Sequence, residues 1–327
     1  MMLEGRNTPL AEQLDLHPLI TQYDGILFSS AASVLGNDLI SRCILRLYTS
    51  FDRLTRGQNV YSNHMNLHIL RGSACNAFVI PLAGRCQIFL TIGLIAAVLH
   101  ATRLSVSNSS LPTFAHRDHL DTNIPETYSL ASAAAMRALD MTTEAFDNCD
   151  LSRDNLALSM AQAILTFILY HEFIHISLGH VAYNWIKRSN TGFLEFGNRG
   201  LSREECKIRT SFEVEADSMA GALGCGSIFA KESPFEDVEM TLEQKLECWA
   251  YGVALMYHIL WKLMSHKRTA NQLIQDAVTF EDMDIHPDPI KRRGNVQSTV
   301  RFTFDPNTTQ GKADNNLKGL CTSDRCF

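Results

Sequence analysis

Two histidines and one glutamate in the apolar stretch 164–180 have a spacing that suits metal binding. His171, Glu172 and His175 follow the pattern H-E-x-x-H, in which one α-helix presents two imidazoles on the same face. Both imidazoles can then reach a single Zn²⁺ ion at about 2.0–2.1 Å. Glu172 is offset from this pair, which suits a general base that contacts water at the metal without binding the metal itself. We therefore predict a catalytic zinc site.

The surroundings of this motif strengthen the prediction. The chain has twelve histidines, so H-E-x-x-H by itself is a moderate signal. Residues 156–170, directly before it, are almost wholly apolar, which is typical of a helix buried on all sides. Histidines and a carboxylate in such a core need partners, because an unpaired buried charge is strongly destabilising. A metal ion is the simplest partner, and a hydrogen-bonded histidine cluster without metal is the alternative.

A third ligand is expected on a second helix. Within residues 211–222, Glu213 and Asp217 lie one helical turn apart. Glu213 would complete a His₂Glu set that leaves the fourth metal position for water. Asp217 would accept a hydrogen bond from the outer ring nitrogen of a ligand histidine. In the alternative interpretation, Thr210 and Glu213 form a capping box, and Glu213 only closes the start of the helix. Glu215 is the neighbouring candidate, but it points away from this face.

His180 is a further histidine close to the motif. Metzincins have a third histidine at the position that corresponds to Val181 in this chain, so their pattern is absent. We expect the helix to end near Gly179, because glycine commonly follows a helix end. On a straight helix His180 would face nearly the opposite side from His171. We therefore do not predict His180 as a ligand.

Two β-rich runs precede the zinc-binding helix. Residues 75–81 and 85–91 are separated by Leu82-Ala83-Gly84, which predicts a β-hairpin followed by a helix. The edge of the first strand could border the active-site cleft and bind an extended peptide by strand addition. The predicted contacts there are Asn76, Ala77 and Phe78. A hairpin that is only part of the core is the alternative.

A basic segment follows the last long helical pattern. In residues 286–293, two prolines impose a bend. His286 and Arg292 could donate hydrogen bonds to the oxyanion that develops when water attacks a carbonyl group. We predict them as catalytic donors. A turn followed by a helix with exposed basic residues is the alternative.

Composition restricts the classes of function. The chain has 327 residues, of which 46% are hydrophobic and 20% charged, as in ordinary globular proteins. A net charge of −6, without a basic stripe interleaved with aromatic residues, argues against nucleic acid as a partner. Nine cysteines without a C-x-x-C pair indicate reduced thiols rather than a disulfide framework.

The expected location is the cytoplasm. The first residues contain no apolar run of signal-peptide length behind a basic segment. The apolar runs 88–99 and 248–261 are shorter than the roughly 18–20 residues that cross a bilayer. We predict no transmembrane segment, and peripheral membrane contact is left open.

The predicted fold is α+β and mainly helical, with a small sheet or hairpin before the active-site helix. Residues 1–65 are predicted as a helical N-terminal segment, 66–300 as the catalytic domain and 301–327 as a polar, flexible tail. Within the domain, the polar segment 187–210 is predicted as a surface excursion or lid, and 242–263 as a long helix.

Three ordered motifs resemble those of the gluzincin zinc metallopeptidases, in particular the group of the CAAX prenyl endopeptidase and the HtpX-like proteases. The motifs are His171–His175, Glu213-x-x-x-Asp217 and His286-Pro-x-x-x-x-Arg292. Residues 76–94 are similar to the strand and turn before the zinc helix in that group. The Lit-type phage-exclusion peptidases are more similar still, with H-E-x-x-H-x-x-x-x-H, then E-x-E-A-D-S, then H-P-x-x-x-x-R.

The resemblance covers about residues 70–295 and implies a zincin fold and a zinc-dependent endopeptidase. It implies the zinc ligands His171, His175 and Glu213. It also makes Glu172 the base and Asp217 the support of a ligand, with Arg292 at the arginine position. The following residue, Arg293, departs from the pattern, which usually has an aliphatic residue there. Lit-type relatives imply an intracellular protein substrate, with a translation elongation factor during phage infection as the suggested target.

Two other interpretations are left open. In the first, the protein is not catalytic and the His/Glu cluster or a metal only braces the core, in which case Glu172 has no chemical task. In the second, the chain is a membrane-associated quality-control protease.

Overall fold

The structure, a computed structural model, describes the helices and strands that surround the predicted site. The described residues are 18–21, 24–27, 38–57, 65–72, 75–82, 84–107, 151–183, 193–194, 202–230, 233–266 and 289–304. They are mostly helical with a small sheet, so the predicted α+β class is confirmed. The zincin fold stays a prediction.

Helices and strands alternate in the first third of the chain, and helices dominate afterwards. The helices are α1 (Pro18–Thr21), α2 (Asp38–Gly57), α3 (Ile92–Ser107), α4 (Leu151–Ser177), α5 (Arg203–Ser227), α6 (Leu242–His266) and α7 (Pro289–Phe304). The strands are β1 (Ile26–Leu27), β2 (Met65–Leu70), β3 (Ala77–Leu82), β4 (Arg85–Thr91) and β5 (Phe193–Leu194).

The strands form one sheet in the order β1-β2-β4-β3-β5. β3 and β4 are antiparallel neighbours, which confirms the predicted hairpin. β2 runs parallel to β4, and the two-residue strands β1 and β5 lie at the edges. The sequence patterns do not reveal these three strands, because β2 pairs with β4 rather than with its sequence neighbour β3, and β1 and β5 gain their hydrogen bonds from more distant parts of the chain.

The N-terminal residues share their core with the rest of the described chain. α2 is amphipathic and packs against α4 with one buried face. This face consists of Ile40, Cys43, Ile44 and Leu47. On the other side of the sheet, Ile20 and Ile26 pack with Phe78 and Phe89. Among the described residues, the predicted segment 1–65 therefore has no core of its own.

Helix α4 is the centre of the molecule. All its side chains from 157 to 169 are buried, and α2, α3, α5 and α6 pack around it. Within the described chain, one helix, Asp154–Ser177, is long and apolar enough to cross a membrane, and 94% of its most apolar window is buried inside the protein. A core helix has this composition as well, so it is weak support for a membrane span.

Helix α5 begins earlier than the sequence patterns suggest. Its N-cap is Ser202, whose side chain accepts a hydrogen bond from the backbone N–H of Glu205, and the Glu205 carboxylate accepts from Ser202 N–H. This is the capping box of the helix. Residues 203–210 of the predicted surface excursion or lid are therefore the first turns of α5.

The C-terminal helices follow the predicted pattern with shifted ends. α6 confirms the helix predicted at 242–263 and extends it to His266. α7 runs to Phe304, so the first four residues of the predicted tail, 301–304, are helical. The remaining tail, 305–327, lies outside the described residues.

A glycine lets α5 and α7 approach closely. A Cβ atom on Gly221 would lie 2.8 Å from Cγ1 of Val296, which is closer than two carbon atoms can pack. Valine in a helix has essentially one side-chain rotamer, so Val296 cannot easily turn away. The close approach brings the first turns of α7 to the part of α5 that carries Glu213 and Asp217.

We expect Gly221→Ala to destabilise the protein, because the added methyl group overlaps Val296. The free energy of unfolding should be lower by about 1–3 kcal/mol than in Gly226→Ala. Gly226 lies on the same helix with nothing within 4 Å of its Cβ position, so it is the matched control. Urea denaturation measures the difference.

A double-mutant cycle with Val296→Ala tests the cause. Removal of the valine side chain should cancel most of the penalty of Gly221→Ala. Equal stability of the two glycine variants would contradict the close contact.

Candidate metal centre

Three helices contribute side chains to one buried cluster. The side chains are His171, Glu172 and His175 from α4, Glu213 and Asp217 from α5, and Arg292 from α7. Their exposed fractions lie between 0% and 4%. α5 packs against both α4 and α7, so the side chains from all three helices meet along α5.

The three predicted metal ligands come together. The Nε2 atoms of His171 and His175 are 3.0 Å apart, and Glu213 places its oxygens 3.5 Å from the former and 3.6 Å from the latter. Donor atoms held at about 2.0–2.1 Å around a tetrahedral ion lie about 3.3–3.4 Å from one another. The three separations are close to that value, so the cluster could hold a metal ion.

The chemistry of the donor set agrees with this geometry. Two imidazole nitrogens and a carboxylate oxygen suit a divalent transition ion such as Zn²⁺, although the donors alone do not determine which metal binds. The alternative interpretation of Glu213 as a helix cap is wrong. The cap of α5 is at Ser202, and Glu213 lies in the middle of the helix, where it is 1% exposed.

Asp217 lies behind His171, as predicted. Its Oδ1 atom is 3.0 Å from Nδ1 of His171, within hydrogen-bonding distance. A carboxylate on one ring nitrogen determines the tautomer of the ring. Asp217 on Nδ1 therefore leaves Nε2 of His171 directed towards His175 and Glu213.

Arg292, the predicted oxyanion donor, lies against two carboxylates of the cluster. Its Nε and Nη2 atoms donate to the two oxygens of Asp217 at 2.6 Å and 2.8 Å, and Nη2 is 3.1 Å from Oε2 of Glu213. The guanidinium carbon is also 5.6 Å from the ring centre of Tyr257. Arg292 therefore orients the candidate ligand Glu213 and the Asp217 carboxylate behind His171. Arg292 and Asp217 are 75 positions apart in sequence, so spacing alone could not reveal that they pair.

Arg292 keeps both carboxylates ionised. Burial by itself raises the pKa of Glu213, but the positive charge of Arg292 and the contacts with His171 and His175 together outweigh it, and the pKa lies well below its usual range. Burial also acts to raise the pKa of Asp217, and Arg292 again lowers it overall.

The two ligand histidines have opposite pKa shifts. Burial acts to lower the pKa of His171, but contacts with Asp217 and Glu213 raise it well above its usual value. For His175, burial and the charge on His171 lower the pKa well below its usual value. Without metal, His171 therefore carries a proton on both ring nitrogens and is positively charged, while His175 is neutral.

Glu172 and His180 are both buried near the ligands. Glu172 follows His171 on the same helix and is 2% exposed. His180 places Nδ1 3.0 Å from Nδ1 of His175, and its Nε2 is 3.3 Å from Oε2 of Glu215. Spacing on a straight helix does not place His180 beside His175, and it places Glu215 away from the Glu213/Asp217 face. In the structure, Gly179 has a φ of 76°, which interrupts the helix between His175 and His180.

The predicted substrate-binding residues lie in the sheet. The backbone of Asn76 is paired with Thr91, since Asn76 N–H donates to Thr91 Oγ1 and Asn76 C=O accepts from Thr91 N–H. The edge of β3 at Phe78 is paired with the protein's own β5, and Phe78 and Ala77 are buried. His286, the other predicted donor, lies outside the described residues.

Comparisons with protein-family models, with curated proteins and with solved structures find no match to this chain. The resemblance to gluzincin peptidases therefore remains a prediction that depends on the motifs themselves.

Metal binding should release about one proton per ion at pH 7. His171 has a raised pKa and must lose its proton, whereas His175 is already neutral and Glu213 already ionised. The apparent affinity should therefore increase with pH until the pH exceeds the raised pKa of His171. Calorimetric titration with Zn²⁺ in buffers of different ionisation enthalpy gives the proton count. Release of no proton, or of two, would contradict the assignment.

Arg292→Met should destabilise the metal-free protein by about 3–5 kcal/mol, because two buried carboxylates lose their counter-charge. Zn²⁺ should restore part of this loss by supplying positive charge. Arg292→Lys is the control that keeps the charge and loses the paired hydrogen bonds with Asp217. Urea denaturation with and without Zn²⁺ measures both effects. An oxyanion donor would behave differently, since its removal would lower kcat and leave unfolding unchanged.

Proposed function

We propose that this chain is a zinc-dependent endopeptidase that hydrolyses a peptide bond in a protein substrate. One observation carries the proposal. The donor atoms of His171, His175 and Glu213 lie within 4.8 Å of one another, and Glu172 follows the first ligand on the same buried helix. Two imidazoles and one carboxylate form a set in which zinc hydrolases leave the fourth position for water.

The donor set favours catalysis over a purely structural metal. Structural zinc sites are closed by four protein ligands and are usually rich in cysteine. Among the described residues, the group contains three donors and no cysteine. A metal that only braces the core makes no use of Glu172 as a base.

The residues of the chain divide the chemical work. A divalent ion bound by the three ligands supplies Lewis acidity, which lowers the pKa of water and polarises the scissile carbonyl group. Glu172 accepts the proton of the attacking water as the C–O bond forms. It then passes this proton to the amine nitrogen as the C–N bond breaks. Asp217 holds His171 in orientation, and Arg292 keeps Glu213 and Asp217 in their charged forms.

The remaining roles are proposals from the sequence motifs. His286 remains the candidate oxyanion donor, and Arg292 is assigned to positioning instead. A peptide that adds to β3 at Phe78 would have to replace β5, which already pairs with this edge. The motif resemblance supports a cytoplasmic protein target, with an elongation factor in phage defence as the proposed case. The apolar helix Asp154–Ser177 is mostly buried, so it does not favour the membrane-associated alternative.

Glu172→Gln should bind zinc normally and lose peptidase activity by at least about 100-fold, because an amide cannot accept the proton from water. The substrate probe is a library of peptides from a denatured proteome, in which new termini are identified by mass spectrometry. Zinc content is measured on the same preparations. Glu213→Ala should lose both zinc and activity.

Glu247→Gln provides the matched control, since it makes the same change at an exposed position of α6. It should leave zinc content and cleavage as in the wild type. Cleavage by Glu172→Gln at the wild-type rate would overturn the role of Glu172. Zinc-loaded protein that cleaves no peptide in the library would count against the peptidase proposal as a whole.

A further inference from the structure

His175 contacts His180, which in turn contacts Glu215, and neither of these two residues has been given a role so far. Nδ1 of His175 is 3.0 Å from Nδ1 of His180, and Nε2 of His180 is 3.3 Å from a carboxylate oxygen of Glu215. His180 is 3% exposed, whereas the side chain of Glu215 is 54% exposed. A line of contacts therefore runs from the metal ligand to the protein surface.

The proton positions along this line follow from the chemistry of imidazole. A neutral imidazole has one N–H and one lone pair. If Nε2 of His175 gives its lone pair to a metal, Nδ1 of His175 must carry the proton. At 3.0 Å, that N–H donates to Nδ1 of His180, which must then present a lone pair, so the proton of His180 must be on Nε2. There it faces Glu215, whose ionised carboxylate accepts hydrogen bonds and cannot donate them.

We propose that His180 and Glu215 are positioning residues that hold His175 in the tautomer required for metal binding. Glu215 keeps the proton of His180 on Nε2, and His180 thereby keeps the proton of His175 on Nδ1. Nε2 of His175 is left free for the ion. This inference rests on the metal site of the proposed function and does not depend on peptide hydrolysis.

The packing of His180 supports this assignment. Its ring stacks on Phe212 with the ring centres 4.0 Å apart and an angle of 10° between the planes. Tyr183 contacts the same phenyl ring edge-on. In this stack, the ring of His180 is oriented with Nδ1 towards His175 and Nε2 towards Glu215. A histidine needed only to fill space would not require carboxylate contact at its outer nitrogen.

The geometry excludes His180 as a fourth ligand in this arrangement. His180 contacts Nδ1 of His175, whereas Nε2 of His175 faces His171 and Glu213. His180 therefore lies on the far side of the His175 ring from the donor atoms. The two ligand histidines thus have separate supports, a buried one from Asp217 and one from His180 that reaches solvent.

The test measures the Zn²⁺ dissociation constant by competition with a chromophoric chelator. His180→Phe keeps an aromatic ring for the stack on Phe212 and removes both nitrogens. Zinc binding should weaken by about 10–100-fold, as is usual when the partner of a ligand histidine is lost. Glu215→Ala should weaken it by about 10-fold. Glu215→Gln should retain most of the affinity, because its amide oxygen still accepts from Nε2–H of His180.

Two controls separate positioning from loss of structure. Glu204→Gln changes another exposed carboxylate of α5 that lies far from the site, and it should bind zinc as the wild type does. Thermal unfolding of the metal-free proteins should give the same midpoint for Glu215→Ala and Glu204→Gln. The ¹⁵N chemical shifts of His175 in the zinc-loaded wild type should show the proton on Nδ1.

The outcomes distinguish this inference from the proposed function. Wild-type zinc affinity in both His180→Phe and Glu215→Ala would overturn the inference and leave the metal site intact. A wild-type protein that binds no zinc would overturn the inference together with the metal site. Weakened binding in the two variants, with no peptidase activity in the wild type, would support the inference and refute the peptidase.

Discussion

The pairing of Arg292 with two buried carboxylates is the interaction on which the site depends. Glu213 and Asp217 come from one helix, are almost fully buried and are negatively charged. Two such charges in a protein interior repel each other and lack the hydration of water. The guanidinium group of Arg292 contacts both and balances one of them. The second charge is balanced by a proton on His171 when no metal is bound.

This balance explains why a metal ion suits the site. The proton on His171 occupies the place that a cation takes among the three donors, so the ligand-free cluster is already close to neutral. A divalent ion bound by the three donors would displace this proton and bring one additional positive charge. An ionised Glu172 beside the ion would compensate that charge, which is the form that a general base needs. Charge neutrality and the proposed chemistry therefore require the same set of residues.

Part of this arrangement could be predicted from the sequence and part could not. H-E-x-x-H and Glu213-x-x-x-Asp217 are spacings within single helices, so the helical repeat is enough to place the ligands and Asp217. His180 escapes that reasoning because the positive φ of Gly179 interrupts the helix before it. Arg292 escapes it because its partner Asp217 is 75 positions away in sequence. Strand β2 and the paired edge of β3 depend equally on distant contacts.

The position of Arg292 in the chain has a consequence for biosynthesis. Translation produces the two imidazoles first, then the acidic pair, and the guanidinium last of the residues in the cluster. Until α7 has left the ribosome and docked at Gly221, the acidic pair of α5 lacks its permanent counter-ion and is better hydrated than buried. A nascent chain should therefore keep α5 away from α4. The cluster that could hold a metal would form only after α7 has been synthesised and released from the ribosome.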